Sequence, residues 1–299
     1  MKDLAIIIPA YKKDYLEQTL ESLLSQTCKD FHVYIGDDAS PFDLYSIITR
    51  YQDKLPLTYH RFEKNLGAKD LVGQWERCIK LSKDEKWIWL FSDDDVMEEK
   101  CVEAFYRKIQ EMPRISLIHY NLSILDEFNN GKISNLGKWL PQISAGQFLE
   151  GKLRGKIISF VVEFIFTREI YNKIGGFRKY DLAWGSDFMT WLQMASLTNE
   201  GITTIDYPLS KVIWRKSNHN ISPDMSRPII FRKINSLIEN AYFIKSQLQQ
   251  YPERFIPLAF SFRWIRFPLG EIWRNRNILS VKQIYYLIVK YLRTIFLKR

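Results

Sequence analysis

Short apolar runs that stop at a Pro or at adjacent carboxylates, each followed by a stretch with helical spacing, organise the first hundred residues. Leu4-Ala5-Ile6-Ile7-Ile8 halts at Pro9, the pattern of a strand buried on both faces. Leu16, Leu20, Leu23 and Leu24 then recur on one helical face. Phe31 to Gly36 reads as the second strand and ends at Asp37-Asp38. A helix over 42–53, a strand from Leu57 to Phe62, a helix over 68–82 and a strand from Trp87 to Phe91 follow. This alternation predicts a doubly wound α/β sheet. Right-handed crossovers carry the C-terminal ends of its strands to one edge. Residues 9–11, 36–40 and 92–95 are therefore expected to converge.

The rhythm then changes. A helix is expected from Glu98 to Glu111 and a strand from Ile115 to Leu125, with a turn at Asn129-Asn130-Gly131-Lys132. Phe160 to Thr167 and Thr203 to Trp214 read as further strands around a helix over 187–198. Pro223 to Pro228 is a breaker-rich link. Helices over 229–250 and 253–266, an interruption at Pro268-Leu269-Gly270 and a helix over 280–297 complete the pattern. The expected division is an α/β domain over 1–225 and a helical extension over 226–299.

Charge sharpens that division. Of the net +9, residues 261–299 carry +8 and residues 231–260 carry +2, which leaves residues 1–230 at −1. A neutral body with a basic appendage argues against nucleic-acid binding by the body. Cys28, Cys78 and Cys101 have unrelated spacings and only four His accompany them, so no zinc pattern exists and a reducing compartment is the simplest reading. The N-terminus leads straight into a strand, without signal-peptide character, and no stretch reaches the apolar length that spans a bilayer.

The strand ends hold the candidate chemistry. Asp93-Asp94-Asp95 follows the fourth strand directly. Three adjacent carboxylates raise one another's pKa unless a cation or a donor neutralises them. A hard divalent ion shared with a substrate phosphate is the economical explanation, and a helix N-terminus the plainer one. Pro9-Ala10-Tyr11 ends the first strand, where Tyr11 either stacks on a flat base or packs on its own helix start. Asp37-Asp38 either binds a ligand at the sheet edge or caps the next helix. Asn65-Leu66-Gly67-Ala68-Lys69 opens the third helix, where Lys69 and free amides suit a diphosphate or form an ordinary turn. Gly175-Gly176 precedes Ser186-Asp187, with Asp187 a candidate general base or an N-cap. Trp214 to Asn220, with Arg215 and His219, is a polar loop that either closes over a diphosphate or is simply solvated.

Together these pieces resemble the GT-A glycosyltransferases, and more closely the large bacterial family 2 of inverting enzymes. The resemblance rests on Ile6-Ile7-Ile8-Pro9-Ala10-Tyr11, Ser22-Leu23-Leu24-Ser25-Gln26-Thr27, Ile35-Gly36-Asp37-Asp38-Ala39-Ser40, Asn65-Leu66-Gly67, Phe91-Ser92-Asp93-Asp94-Asp95, Gly175-Gly176-Phe177 and Ser186-Asp187, in order across roughly residues 1–220. It implies a mostly parallel sheet flanked by helices and an inverting, metal-dependent transfer from a UDP-sugar. It further implies that Pro9, Tyr11 and Asp38 belong to the uracil site, Asp93 to the ribose and Asp94 with Asp95 to a Mn2+ or Mg2+ ion. Lys69 and Arg215 would serve the diphosphate and Asp187 would be the catalytic base. Ser92 stands where many relatives have an Asp, and Ser186 where many have a Glu. The acceptor implied is a glycan or a polyprenyl-linked sugar in surface polysaccharide synthesis, such as capsule or O-antigen. A nucleotidyltransferase and a non-catalytic nucleotide-sugar-binding protein are the rival readings.

In the basic tail, Val281, Ile284, Ile288, Leu292 and Ile295 fall on one helical face, with Lys282, Lys290 and Arg293 off it. Upstream, Phe260, Phe262, Trp264, Ile265 and Phe267 interleave with Arg263 and Arg266. Such a helix is expected to lie on the cytoplasmic face of a bacterial inner membrane, or else to pack on the catalytic domain.

Overall fold

A computed structural model describes residues 3–218, 224–255 and 263–297. Along the chain run β1 (Leu4–Ala10), α1 (Leu16–Leu24), β2 (His32–Asp37), α2 (Tyr45–Ile48), β3 (Leu57–Arg61), α3 (Leu71–Ile79) and β4 (Trp87–Leu90). Next come β5 (Val96–Met97), α4 (Cys101–Glu111), β6 (Leu117–Tyr120), β7 (Leu122–Asp126), β8 (Lys132–Asn135), β9 (Gln142–Ile143), α5 (Ala145–Leu153), β10 (Phe164–Thr167) and α6 (Arg168–Ile174). The remainder is α7 (Ser186–Ser196), β11 (Ile202–Ile205), β12 (Val212–Lys216), α8 (Arg227–Gln250), α9 (Arg263–Arg274) and α10 (Val281–Leu292).

The main sheet has the order β3-β2-β1-β4-β10-β6-β11-β9. Its first four strands are parallel, β10 runs antiparallel to β4 and β6, and β11 is again parallel to β6. The uninterrupted apolar run of β1 has its reason here. Leu4, Ile6 and Ile8 pack on the side of α1 and α4, while Ala5 and Ile7 pack on the side of α3, α5 and α7. A strand covered on both faces has no polar side to show. A second sheet, β5-β12-β7-β8, stands beside the C-terminal ends of the first.

Several boundaries differ from expectation for local reasons. The strand expected over 115–125 is two strands in different sheets, broken at Asn121. The Asn121 side chain accepts from the Trp139 amide at 3.2 Å and its carbonyl from the Val212 amide at 3.3 Å, so it holds the bend. The strand expected over 203–214 likewise divides into β11 and β12 around a turn with Leu209 at φ 58°. The helix expected over 42–53 is a single α-turn followed by a 3-10 turn. Pro268 does not interrupt the C-terminal region but lies inside α9. The helix expected over 253–266 falls partly outside the described residues, with a 3-10 turn at Pro252–Phe255. Helices α5 and α6 carry no strong sequence signal and emerge only in the structure, α5 with Ser144 and Gln147 capping each other's end.

Candidate active site

β1, β2 and β4 end side by side, and the loop before α7 faces them across one cavity of about 1210 Å3. Pro9, Tyr11, Asp38, Asp93, Asp94, Asp95 and Asp187 all line it. Right-handed crossovers account for the convergence of residues otherwise far apart in sequence.

The three carboxylates after β4 are divided among different partners. Asp93 accepts from the Tyr11 and Lys12 amides, each at 2.7 Å, which ties the end of β4 to the end of β1. Asp94 meets the Lys12 ammonium and the Ser92 hydroxyl. Asp95 accepts from the Arg215 amide at 2.7 Å. The Lys12 ammonium also stands 3.2 Å from Asp93. Burial pushes the Asp93 carboxyl up while Lys12 draws it down, and burial together with the charge of Asp94 pushes Asp95 up further. Among the described residues no three carboxylates, histidines or cysteines gather as a ready metal cage. A protein ammonium supplies much of the positive charge that the sequence pattern demanded of a metal. The helix-cap alternative also fails here, because β5 follows and α4 begins only at Cys101.

Asp37 and Asp38 serve different masters. Asp37 accepts from Ser40, Tyr59 and Arg61 and ties the edge of the sheet together. Asp38 accepts from the Leu66 amide at 2.7 Å, the Gly67 amide at 2.8 Å and the Asn65 side chain at 3.1 Å, and pairs with Arg77. It fixes the approach to α3 against the end of β2 and caps no helix. A Cβ on Gly67 would meet Asp38 at 2.7 Å, so this close approach requires glycine.

Lys69 and Arg215 do not line the cavity. Lys69 is exposed on the outer side of its turn. Arg215 is 2% exposed, and its guanidinium is committed to the Asp94 carbonyl at 2.7 Å, to Gln18 at 2.6 Å and to Glu127, over the ring of Tyr15. It braces the acidic turn from behind, with Nε, Nη1 and Nη2 each engaged there and the side chain off the cavity wall. His219 and Asn220 of that loop lie outside the described residues.

Asp187 sits in the first turn of α7, whose N-cap is Gly185 at φ 84°, so neither Ser186 nor Asp187 is the cap. A Cβ at Gly185 would come within 2.0 Å of Asn240 on α8, which makes glycine obligatory there. Burial raises the Asp187 pKa, and the Lys152 ammonium opposes that rise. Lys152, which lines the cavity, donates to Ser159 at 3.0 Å. Nearby Glu163 is fully buried, accepts from the Phe160 amide at 2.7 Å, and is pushed up to about 8 by burial. Lys12, Lys152 and Glu163 escaped the sequence reading. Lys12 adjoins a recognised strand end, but Lys152 and Glu163 meet Asp187 only through the tertiary fold and carry no local signal.

A family profile described as Glycosyl transferase family 2 matches residues 5–175. A protein of Haemophilus influenzae described as an uncharacterized glycosyltransferase is 34% identical over 175 residues, covering 58% of this chain and 55% of that protein. The UDP-Glc:alpha-D-GlcNAc-diphosphoundecaprenol beta-1,3-glucosyltransferase WfaP of Escherichia coli is 29% identical over 151 residues, 50% of this chain and 57% of its own. The chain thus spans about half the length of these curated relatives. Among solved structures, S. aureus TarS 1-349 in complex with UDP-GlcNAc aligns with a TM-score of 0.62 at 15% identity, over 98% of this chain and 89% of that one. The mannosyltransferase PcManGT from Pyrobaculum calidifontis, in complex with GDP-Man and Mn2+, aligns with a TM-score of 0.56 at 13% identity, over 99% and 88%. At such identities the likeness concerns the fold.

Proposed function

The chain belongs to glycosyl transferase family 2, and from that premise we propose that it moves a sugar from a UDP-sugar to a hydroxyl of a polyprenyl-linked or glycan acceptor, with inversion at the anomeric carbon. The observation that carries this reading is the convergence of Asp38, Asp93, Asp94 and Asp187 on one cavity. The uracil would lie against Tyr11, beside the turn that Asp38 holds, and the ribose near Asp93.

Asp187 takes the proton of the acceptor hydroxyl as that oxygen attacks the anomeric carbon. The bond from that carbon to the diphosphate breaks on the opposite face, and the nucleoside diphosphate leaves. Lys12 places a positive charge beside the carboxylates where the leaving diphosphate would gather negative charge.

A hard cation suits the all-oxygen donor set, and one carboxylate with donor phosphates is an ordinary Mg2+ arrangement. Asp94 is the fitting ligand, because its partners are a flexible ammonium and a hydroxyl that can move aside. Asp95 is tied to a backbone amide and fits less well. A bound Mn2+ or Mg2+ supplies charge that stabilises the diphosphate as a leaving group.

The lipid-linked acceptor named for the E. coli relative supports a polyprenyl acceptor, and with it work at the cytoplasmic face of a membrane in surface polysaccharide synthesis. No helix among the described residues is long and apolar enough to cross a bilayer.

The test is a donor screen that measures nucleoside diphosphate release, with and without Mn2+. Asp187→Asn is expected to lose roughly 100-fold or more in turnover while UDP binding by calorimetry stays intact. Release of pyrophosphate would identify a nucleotidyltransferase, and full activity in the variant would remove Asp187 from its role.

A further inference from the structure

The cavity does not end at the carboxylates. It continues past Trp184 into a trench between Ile234, Leu237 and Ala241 of α8 and Trp264, Phe267 and Pro268 of α9. The two parts are joined by direct contacts, since the Asn240 side-chain Nδ2 donates to the Trp184 carbonyl at 3.4 Å, three residues before Asp187. The acidic end and the apolar end are therefore two regions of one space. A nucleotide sugar accounts for the first and has no apolar portion to fill the second.

Between them stands Lys233, 5% exposed, on the wall of the same cavity. Its ammonium donates to the Asp224 carbonyl at 2.8 Å and lies 4.5 Å over the Trp184 ring. Burial lowers its pKa. The charge of Asp224 already acts on this ammonium, and a diphosphate brought beside it would pair with it as well, in a place where ion pairs strengthen as water is excluded. The cavity wall combines the Asp187 carboxylate, the Trp184 ring with the Lys233 ammonium over it, and the apolar side chains of α8 and α9, with Glu271 and Arg274 also on the wall. That set matches a sugar hydroxyl, a sugar ring, a diphosphate and an isoprenoid chain.

We propose that this trench with Lys233 is the acceptor-lipid subsite, taking the diphosphate and the first isoprene units of a polyprenyl-diphosphate-linked sugar. The subsite rests on the transferase reading above and specifies how its acceptor is held. Lys233 binds the diphosphate, Trp184 flanks the sugar that presents its hydroxyl to Asp187, and α8 with α9 sheathes the chain. An acceptor without lipid leaves the trench unfilled and binds weakly.

The experiment uses the full chain with saturating UDP, so that the donor diphosphate site is filled, and farnesyl diphosphate as probe, with inorganic pyrophosphate and farnesol as the other arms. Farnesyl diphosphate is expected to bind at least tenfold more tightly than either fragment. Lys233→Met and Leu237→Trp, the latter at a half-buried position that tolerates a larger ring, are each expected to weaken it at least tenfold with UDP affinity unchanged. Ala241→Trp provides a second block of the trench. Equal binding of pyrophosphate reduces the site to a phosphate site, equal binding of farnesol to a generic apolar groove, and unaffected variants place the probe elsewhere. Each of these results overturns the subsite. Failure of UDP itself to bind would instead overturn the transferase reading.

Discussion

Lys12 gives the acidic turn a tethered counter-ion, in contact with Asp94 and 3.2 Å from Asp93. A divalent ion arriving at Asp94 has to compete with it. Lys12→Met removes the competitor and keeps the stem, so Mn2+ binding to the donor-free protein, followed by electron paramagnetic resonance, is expected to tighten by about tenfold, the scale of one charge-assisted hydrogen bond. Weaker binding would mean that Lys12 assists the metal. Lys152 plays the parallel part for Asp187. In the proposed role of base Asp187 has to be ionised to accept a proton; burial raises its pKa, and Lys152 holds that rise in check. Lys152→Met therefore moves the acid limb of the kcat/KM profile to higher pH, and an unmoved limb would show that Lys152 does not act through the base. At this scale the sequence displayed the acids and hid their partners. Runs such as Asp93-Asp94-Asp95 are conspicuous because like charges side by side are costly, whereas Lys12, Lys152 and Glu163 are single residues whose neighbours are supplied by the fold. The surroundings of Arg215 were hidden for the same reason, since nothing local tells that Glu127, Gln18 and the Asp94 carbonyl will engage its guanidinium.

The turn into β10 carries a cost, because Glu163 is buried there with its Oε2 unpartnered among the described residues. Its pKa of about 8 in the folded protein lies above the ordinary 4.5. The folded state thus keeps a proton that the unfolded chain releases across this window. Stability from this group is complete below pH 4.5 and is lost as pH rises through about 8. Glu163→Gln retains an oxygen for the Phe160 amide and cannot ionise. Its melting temperature is expected to lie close to the wild type near pH 5 and to exceed it by about 10 °C, roughly 4 kcal/mol, near pH 8.5. Parallel curves across that range would contradict the shift. Elements themselves were legible where periodicity was strong. β1 to β4 lie within a residue or two of their expected bounds; for β1, β2 and β4 a largely buried apolar run can be little else, while the exposed edge strand β3 is marked by its alternation. Legibility fell where tertiary contacts decide. Asn121 divides one apolar run between two sheets, Leu209 divides another, and Pro268 is tolerated inside α9. A proline forfeits one helical hydrogen bond, and no local rule reveals when packing compensates for it.

Across the molecule, the basic charge of the C-terminal region meets an apolar surface that the fold leaves uncovered. Leu287, Tyr291 and Ile295 turn toward α8 and pack on Ile230, Ile234 and Ile238, and the Tyr291 hydroxyl donates to the Ile265 carbonyl at 2.8 Å. The face expected from sequence is thereby divided, with Ile295 going to the core while Val281, Ile288 and Leu292 stay outside with Tyr285 and Phe296. Spacings of three and four residues put these exposed side chains in one stripe along α10. Lys282 and Arg293 are exposed beside it, whereas Lys290 is engaged by Asn235 and Glu239. A core explains only one side of this helix, and an apolar stripe flanked by cations is the arrangement that lies in a membrane interface. Anionic lipid attracts each nearby cation by about 1 kcal/mol. The full chain is therefore expected to float with vesicles containing phosphatidylglycerol and to bind neutral vesicles more weakly. Lys282→Ala with Arg293→Ala should weaken anionic-vesicle binding by roughly 30-fold, and the loss should shrink as salt screens the charges. Ile288→Asp with Leu292→Asp, on the exposed face where folding is spared, should abolish insertion at any salt. Binding that survives both pairs would assign the stripe to a protein partner, and would also separate the question of where the enzyme sits from the question of how its cavity holds a lipid acceptor.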